Sequence, residues 1–140
     1  VSVKIAGVEI KGSEAIFAVV EYADAALAHL PTSLKKIALE DDDIAANVRQ
    51  FQGQVAAFVR DNGLKMLAIK KRGKKGEFAG GPTTFKIEGV LQLLEGCEAV
   101  LVSPQTISAQ AKKLAELPGS LNKYQHEAYK AACAVLLKAR

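Results

Sequence analysis

No apolar run in this 140-residue chain approaches the roughly 20 residues that a membrane-spanning helix requires. Cysteine is scarce as well. Only Cys97 and Cys133 are present, each inside an apolar stretch and without the spacing of a metal cluster. Reduced, buried thiols are the expectation, with a disulfide left open by the sequence. Internal repeats, low-complexity tracts and linker-like segments are missing too, so residues 1–140 are expected to form one domain. The phosphate-loop order G-x-x-x-x-G-K-[ST] does not occur. The first residues, VSVKIAG, read as a strand rather than as a secretory leader, and a soluble, cytoplasmic protein is the expected class.

Hydrophobic residues make up 49% of the chain and charged residues 24%, which is ordinary globular composition. A chain of this length has room to bury roughly two-thirds of its unfolded surface. The net charge of +4 permits an anionic partner without demanding one.

Val3 to Val20 holds two apolar, β-branched runs about Lys11-Gly12-Ser13 and predicts a β-hairpin. Alternation places Val3, Ile5, Gly7 and Glu9 on one face and Lys4, Ala6, Val8 and Ile10 on the other. A strand so apolar belongs near the middle of a sheet, and the carboxylate of Glu9 at its end must meet water, a partner or a metal. Asp24 to Thr32, with Pro31, reads as a connection, and Leu34 to Glu40 as a third strand.

The acidic run Glu40-Asp41-Asp42-Asp43 has two readings, a divalent-cation site or a helix cap, and the cap is preferred. Ile44, Val48, Phe51, Val55, Phe58 and Val59 follow at helical spacing and stop at Asp61-Asn62-Gly63. Leu64 to Ile69 is then a short strand reached by a crossover, hence parallel. A second helix opens at Pro82 and Thr83, a further strand spans Cys97 to Val102, and Ser103-Pro104 starts a helix to about Glu116. An alanine-rich helix from about Leu121 to Lys138 closes the chain, with Glu127 near its start bordering the packed face and pointing toward the same crevice as Glu9.

Five basic residues, Lys70, Lys71, Arg72, Lys74 and Lys75, stand within six positions. Gly76, Gly80 and Gly81 follow, where the backbone can approach a ligand closely. Such a loop between a strand end and a helix start suits phosphate, held by ammonium groups and backbone N–H groups together. A solvated lysine run is the alternative. Lys86 on the next helix joins the candidate phosphate-contacting set. Phe78 is the one aromatic in the loop, so no stacking platform accompanies it there.

The order β-β-β-α-β-α-β-α-α, with an antiparallel three-stranded meander followed by parallel strands, resembles the ribonuclease H-like α/β fold with its mixed five-stranded sheet. Ile5 to Ser13, IAGVEIKGS, is similar to the first strand and turn of the RuvC resolvase branch of that fold. GVEIKG, LEDD at 39–42 and GEFAGG at 76–81 together resemble a small uncharacterised bacterial family, a domain of unknown function.

The resolvase resemblance implies a nuclease that uses Mg²⁺ or Mn²⁺ held by carboxylates. It casts Glu9 and Glu127 as the candidate catalytic and metal-holding residues. It also places acids where this chain has Lys70 or Lys71, and where it has Lys130. Glu77, Glu88 and His126 are substitutes that the sequence offers, and His126 also reads as a surface residue opening a helix. Three functions follow: a nucleic-acid-binding protein with a degenerate nuclease site, which is preferred; a metal-dependent nuclease with rearranged carboxylates; and a non-catalytic interaction module. DNA or RNA is the expected partner, and a homodimer is compatible with the resemblance.

Overall fold

The computed structural model describes residues 2–73 and 81–138. Strands β1 (Val3–Lys11) and β2 (Glu14–Ala23) form the expected hairpin, with Lys11 opposite Glu14 and Gly12 at a φ of +61° in the turn. Glycine accepts that left-handed conformation without a Cβ penalty. β3 (Ala26–Leu30) and β4 (Lys36–Ala38) follow, then α1 (Ala45–Asp61), β5 (Met66–Lys70), α2 (Pro82–Gln92), β6 (Glu98–Val102) and α3 (Pro104–Ala111). A 3-10 turn at Lys123–Gln125 leads into α4 (His126–Lys138).

The strands form one mixed sheet in the order β3-β2-β1-β5-β6, with β4 also on β2. β5 lies parallel to β1, and β6 parallel to β5. The mixed α/β class is as expected, but the outer edge of β2 is covered differently. Asp24 to Thr32 is not merely a connection. Its residues Ala26–Leu30 pair with Val19 to Ala23, and the stretch expected as the third strand contributes only Lys36–Ala38, opposite Glu14 to Ile16. Two short strands thus share one long neighbour, which makes six strands among the described residues, instead of five, in five positions across the sheet. Pro31 has no N–H to offer a ladder, which separates the two pieces. Phe17 N–H bridges the gap by donating to Lys35 O at 2.9 Å. The alanines of β3 carry little strand propensity and conceal it in the sequence.

Alternation along β1 sorts the core into two layers. Ala6, Val8 and Ile10 face Phe51, Val55 and Phe58 of α1 and Ile87 and Leu91 of α2. Ile5 joins Ile16, Val20, Ala68 and Val102 beneath Ala128, Ala131 and Ala132 of α4. Both cysteines are free, Cys133 within the second layer and Cys97 packed against the first, on opposite faces of the sheet.

Two helix starts and one end differ from expectation. Ile44, not an aspartate, occupies the N-cap of α1 and makes no side-chain cap. The acidic run folds as a turn instead, in which Asp41 O accepts Ile44 N–H at 3.1 Å. α3 closes at Ala111, where i→i+3 bonds from Lys113 N–H and Leu114 N–H tighten the chain. α4 begins at His126 because Asn122 and Gln125 form a reciprocal capping box around the 3-10 turn.

Candidate nucleic-acid interface

Gly7 positions the site. A Cβ built on it would lie 1.7 Å from Ala128 O, so α4 can rest on β1 only because this residue has no side chain. The close approach fixes the first turn of α4 above the end of β1, with Glu127 beside Ala128 and Glu9 two residues beyond Gly7 on the same face. Val8 pairs with Ile69, so one step further Glu9 and Lys70 come at adjacent strand ends. Lys70 shares its face with Ala68, beneath α4.

The crevice therefore holds Glu9, Lys70 and Glu127, the two sequence-predicted acids and one predicted base. Lys70 Nζ donates to Glu127 Oε1 at 2.8 Å, and Lys130 Nζ to Glu127 Oε2 at 3.4 Å. Burial works against the Glu127 charge, but the hydrogen bonds and fields of Lys70 and Lys130 outweigh it and hold its carboxyl below the usual range. Glu9 is shifted the other way. Burial raises it, the neighbouring Glu127 charge adds to the rise, and the fields of Lys70, Lys11 and Arg72 only partly offset this. Among the described residues, four cations, Lys11, Lys70, Arg72 and Lys130, thus act on two carboxylates.

Beyond Lys70 the chain leaves the sheet. Lys71 is exposed, and Arg72 N–H donates to Oε2 of the buried Glu88 at 3.4 Å. Glu88 is thereby tied to the backbone of the basic segment. Among the described residues, Arg72 Nε is buried without a hydrogen-bond partner. Lys71 also borders a cleft of about 500 Å³ with Ser103, Thr106 and Lys138, floored by Val100, Val102, Ala134 and Val135. Lys86 stands apart from this crevice: its Nζ donates to Asp42 O at 2.8 Å and lies 3.5 Å from Asp42 Oδ2, which also accepts from Thr83 Oγ1 at 3.3 Å. Asp42 therefore ties the turn before α1 to the start of α2. Gly81 is the exposed N-cap of α2. Lys74, Lys75, Gly76 and Gly80 lie outside the described residues, as do Glu77 and Phe78.

One feature escapes the sequence. Lys36 Nζ lies 4.2 Å from the centre of the Tyr124 ring, although 88 positions separate the two. Only the pairing of β4 with β2 brings them together. Gln125 next to the ring is fully buried and donates from Nε2 to Phe17 O at 2.8 Å. A cavity of about 690 Å³ opens on the α1 side of the sheet among Ile37, Gln50, Phe51, Gln54 and Phe58, and includes neither Glu9 nor Glu127.

The sheet order and its flanking helices give the chain a ribonuclease H-like fold, the fold of RuvC. Thermus thermophilus RuvC superposes with a TM-score of 0.75 at 12% identity, covering 98% of this chain and 95% of that one. T. thermophilus RuvC in complex with Holliday junction substrate gives 0.68 at 15% identity, covering 99% and 95%. The fowlpox virus Holliday junction resolvase gives 0.61 at 10% identity, covering 98% and 99%. Such identities establish the fold alone. More particularly, residues 3–135 match the family described as protein of unknown function (DUF3010), and the chain belongs to that family. None of the curated proteins matches the sequence.

The divalent metal that the fold implies does not fit the described residues of the crevice. Among the described residues no three His, Cys, Asp or Glu side chains gather as a metal-holding group. Both oxygens of Glu127 already accept from ammonium groups, and one of these, Lys70, ends β5 beside the strand that carries Glu9. Like charge disfavours a metal cation beside them.

Proposed function

We propose that this protein binds nucleic acid through the phosphate backbone, using a nuclease-type crevice in which lysines have replaced metal-holding carboxylates. The observation that carries the reading is the Lys70–Glu127 pair at 2.8 Å, an ammonium on a carboxylate at the end of β5. In this reading Glu9 and Glu127 keep the positions of catalytic acids, but Glu127 holds Lys70 and Lys130 in place and Glu9 lies in the field of Lys70. Lys70, Lys71 and Arg72 present positive charge along the crevice, and the cleft with Ser103, Thr106 and Lys138 continues it with hydroxyl donors and a further cation. Lys74, Lys75 and the backbone at Gly76, Gly80 and Gly81 extend the phosphate-binding set in this reading. Lys86 adds its charge from behind Asp42. DNA is the favoured ligand, since the structurally similar RuvC has been captured with a Holliday junction.

Fluorescence anisotropy with labelled single strand, duplex and four-way junction in EDTA tests the proposal. Affinity should fall steeply between low and moderate salt, by a log–log slope of about −0.9 for each phosphate neutralised on duplex. Replacing Lys70, Lys71 and Arg72 with alanine should flatten the slope. Absence of binding even at low salt would overturn the reading and leave an interaction module. Mg²⁺- or Mn²⁺-stimulated cleavage abolished by Glu9→Gln would instead establish a working nuclease with rearranged ligands.

A further inference from the structure

The sheet register lines up side chains across its α4 face. Lys36 stands opposite Ile16, and Ile16 opposite Glu9. Directly opposed residues of antiparallel strands share a face, so Lys36 and Glu9 look to the same side, two strand spacings or about 10 Å apart. On that side the Tyr124 ring meets Lys36 Nζ at 4.2 Å. Tyr124 is three residues ahead of Glu127, so ring and carboxylate project from one short stretch of chain.

The ring is held rather than merely exposed. Its neighbour Gln125 is buried, donates to Phe17 O and accepts from Asn122 N–H at 3.0 Å, which fixes the turn to β2. Tyr124 itself is 39% open to solvent. A supported aromatic face beside a cation, on the same side of the sheet as the proposed phosphate-binding crevice, offers the two contacts that an unpaired nucleotide needs. The cation–π contact at an exposed ring is weak, so the Lys36 ammonium can exchange to a phosphate while the ring takes a base.

We infer that Tyr124 and Lys36 form a stacking seat for one unpaired nucleobase of a nucleic acid whose backbone runs along the Glu9–Lys70–Glu127 crevice. This rests on the nucleic-acid reading above and narrows it. A base inside an intact duplex is stacked on both faces and cannot reach the ring. The ligand is therefore a single strand, or a branched structure with an unpaired nucleotide, rather than continuous duplex.

The test compares parent protein with Tyr124→Phe, Tyr124→Ala and Tyr124→Leu on single strand, duplex and a junction carrying 2-aminopurine at the branch. Circular-dichroism melts confirm that each variant is folded, and Leu keeps the apolar bulk without the aromatic face. Loss of the ring should weaken single-strand and junction binding roughly 5- to 150-fold and leave duplex within about twofold, with Phe near parent. Parent should quench the 2-aminopurine signal and the Ala and Leu variants should not. Lys36→Ala should lower the salt slope by about one. Salt-dependent parent binding that Ala and Leu leave within about twofold on all three ligands would overturn the seat alone. So would an equal loss on duplex and single strand. Parent protein that binds none of the three overturns the seat together with the nucleic-acid reading.

Discussion

Gly7 and Glu9 are two residues apart on the same face of β1, and the chain treats them in opposite ways. Around Gly7, α4 lies against the strand with no space for a methyl group. Around Glu9, charged side chains meet in a half-open crevice where Lys11, Lys70, Arg72 and Lys130 act on two acids. Packing of the first kind admits one residue type, because backbone cannot yield. A solvated charge cluster admits exchange of acids for lysines while the fold persists. The difference teaches which part of this fold is bound to one residue type and which part is open to substitution.

The sharpest way to break this comparison is Gly7→Ala. Backbone at 1.7 Å from the new Cβ must move, and a loss of about 3 kcal/mol or more, or failure to fold, is expected in urea denaturation. A loss below about 1 kcal/mol would show that α4 has slack over β1. Next in size, Gln125→Ala removes the buried bond to Phe17 O and the cap at Asn122, at an expected cost of about 2 kcal/mol by the same measurement.

On the crevice side, the double replacement Lys70→Glu with Lys130→Asp should create a divalent-cation site with Glu9 and Glu127. Mn²⁺ should then raise the melting temperature of the variant by several degrees, as binding to the folded state alone does, and leave the parent unmoved. A parent that shifts equally would contradict the mismatch between its crevice and a metal.

The smallest effects distinguish the two acids by pH. Glu127, whose folded carboxyl titrates below its ordinary 4.5, contributes stability that is present above that value and lost as pH falls through the lowered one. Glu127→Gln should therefore lower the melting temperature at pH 7 and converge with parent in acid. Glu9 titrates above 4.5 in the fold, so its contribution is full below 4.5 and is lost as pH rises through the raised value. Glu9→Gln should melt slightly higher than parent at pH 7 and match it at low pH. Melts of the three proteins across pH 3 to 7 check the opposite signs, and parallel curves would remove the electrostatic account of the crevice.

Much of the fold was legible along the chain. Alternation from Val3 to Ile10 assigned both faces of β1, and helical spacing from Ile44 to Val59 marked α1. Both are repeats in which one buried face dictates residue type. β3 was concealed because Ala26 and Ala28 are exposed at a sheet edge, where burial imposes no pattern. The acidic run misled for a related reason: Asp41 and Asp42 suit a helix start chemically, but Lys86 and Thr83 claim Asp42 from 41 to 44 positions away. Glu9 and Glu127 were visible as acids beside packed faces, and Lys70 as a base at a strand end. Tyr124 carried no signal, since an aromatic in a polar turn is read as surface until the partner strand is known.

By itself, then, the sequence determined the kind of sheet, the two-layered core and the charges available at the strand ends, because local periodicity and side-chain chemistry are properties of neighbouring residues. Tertiary structure alone decided that α4 settles on Gly7, that Lys70 bonds Glu127 and that Lys36 meets Tyr124. Those pairings span from 57 to more than 100 positions, and only the register of the sheet and the seating of one helix could choose among the partners each charge might have taken.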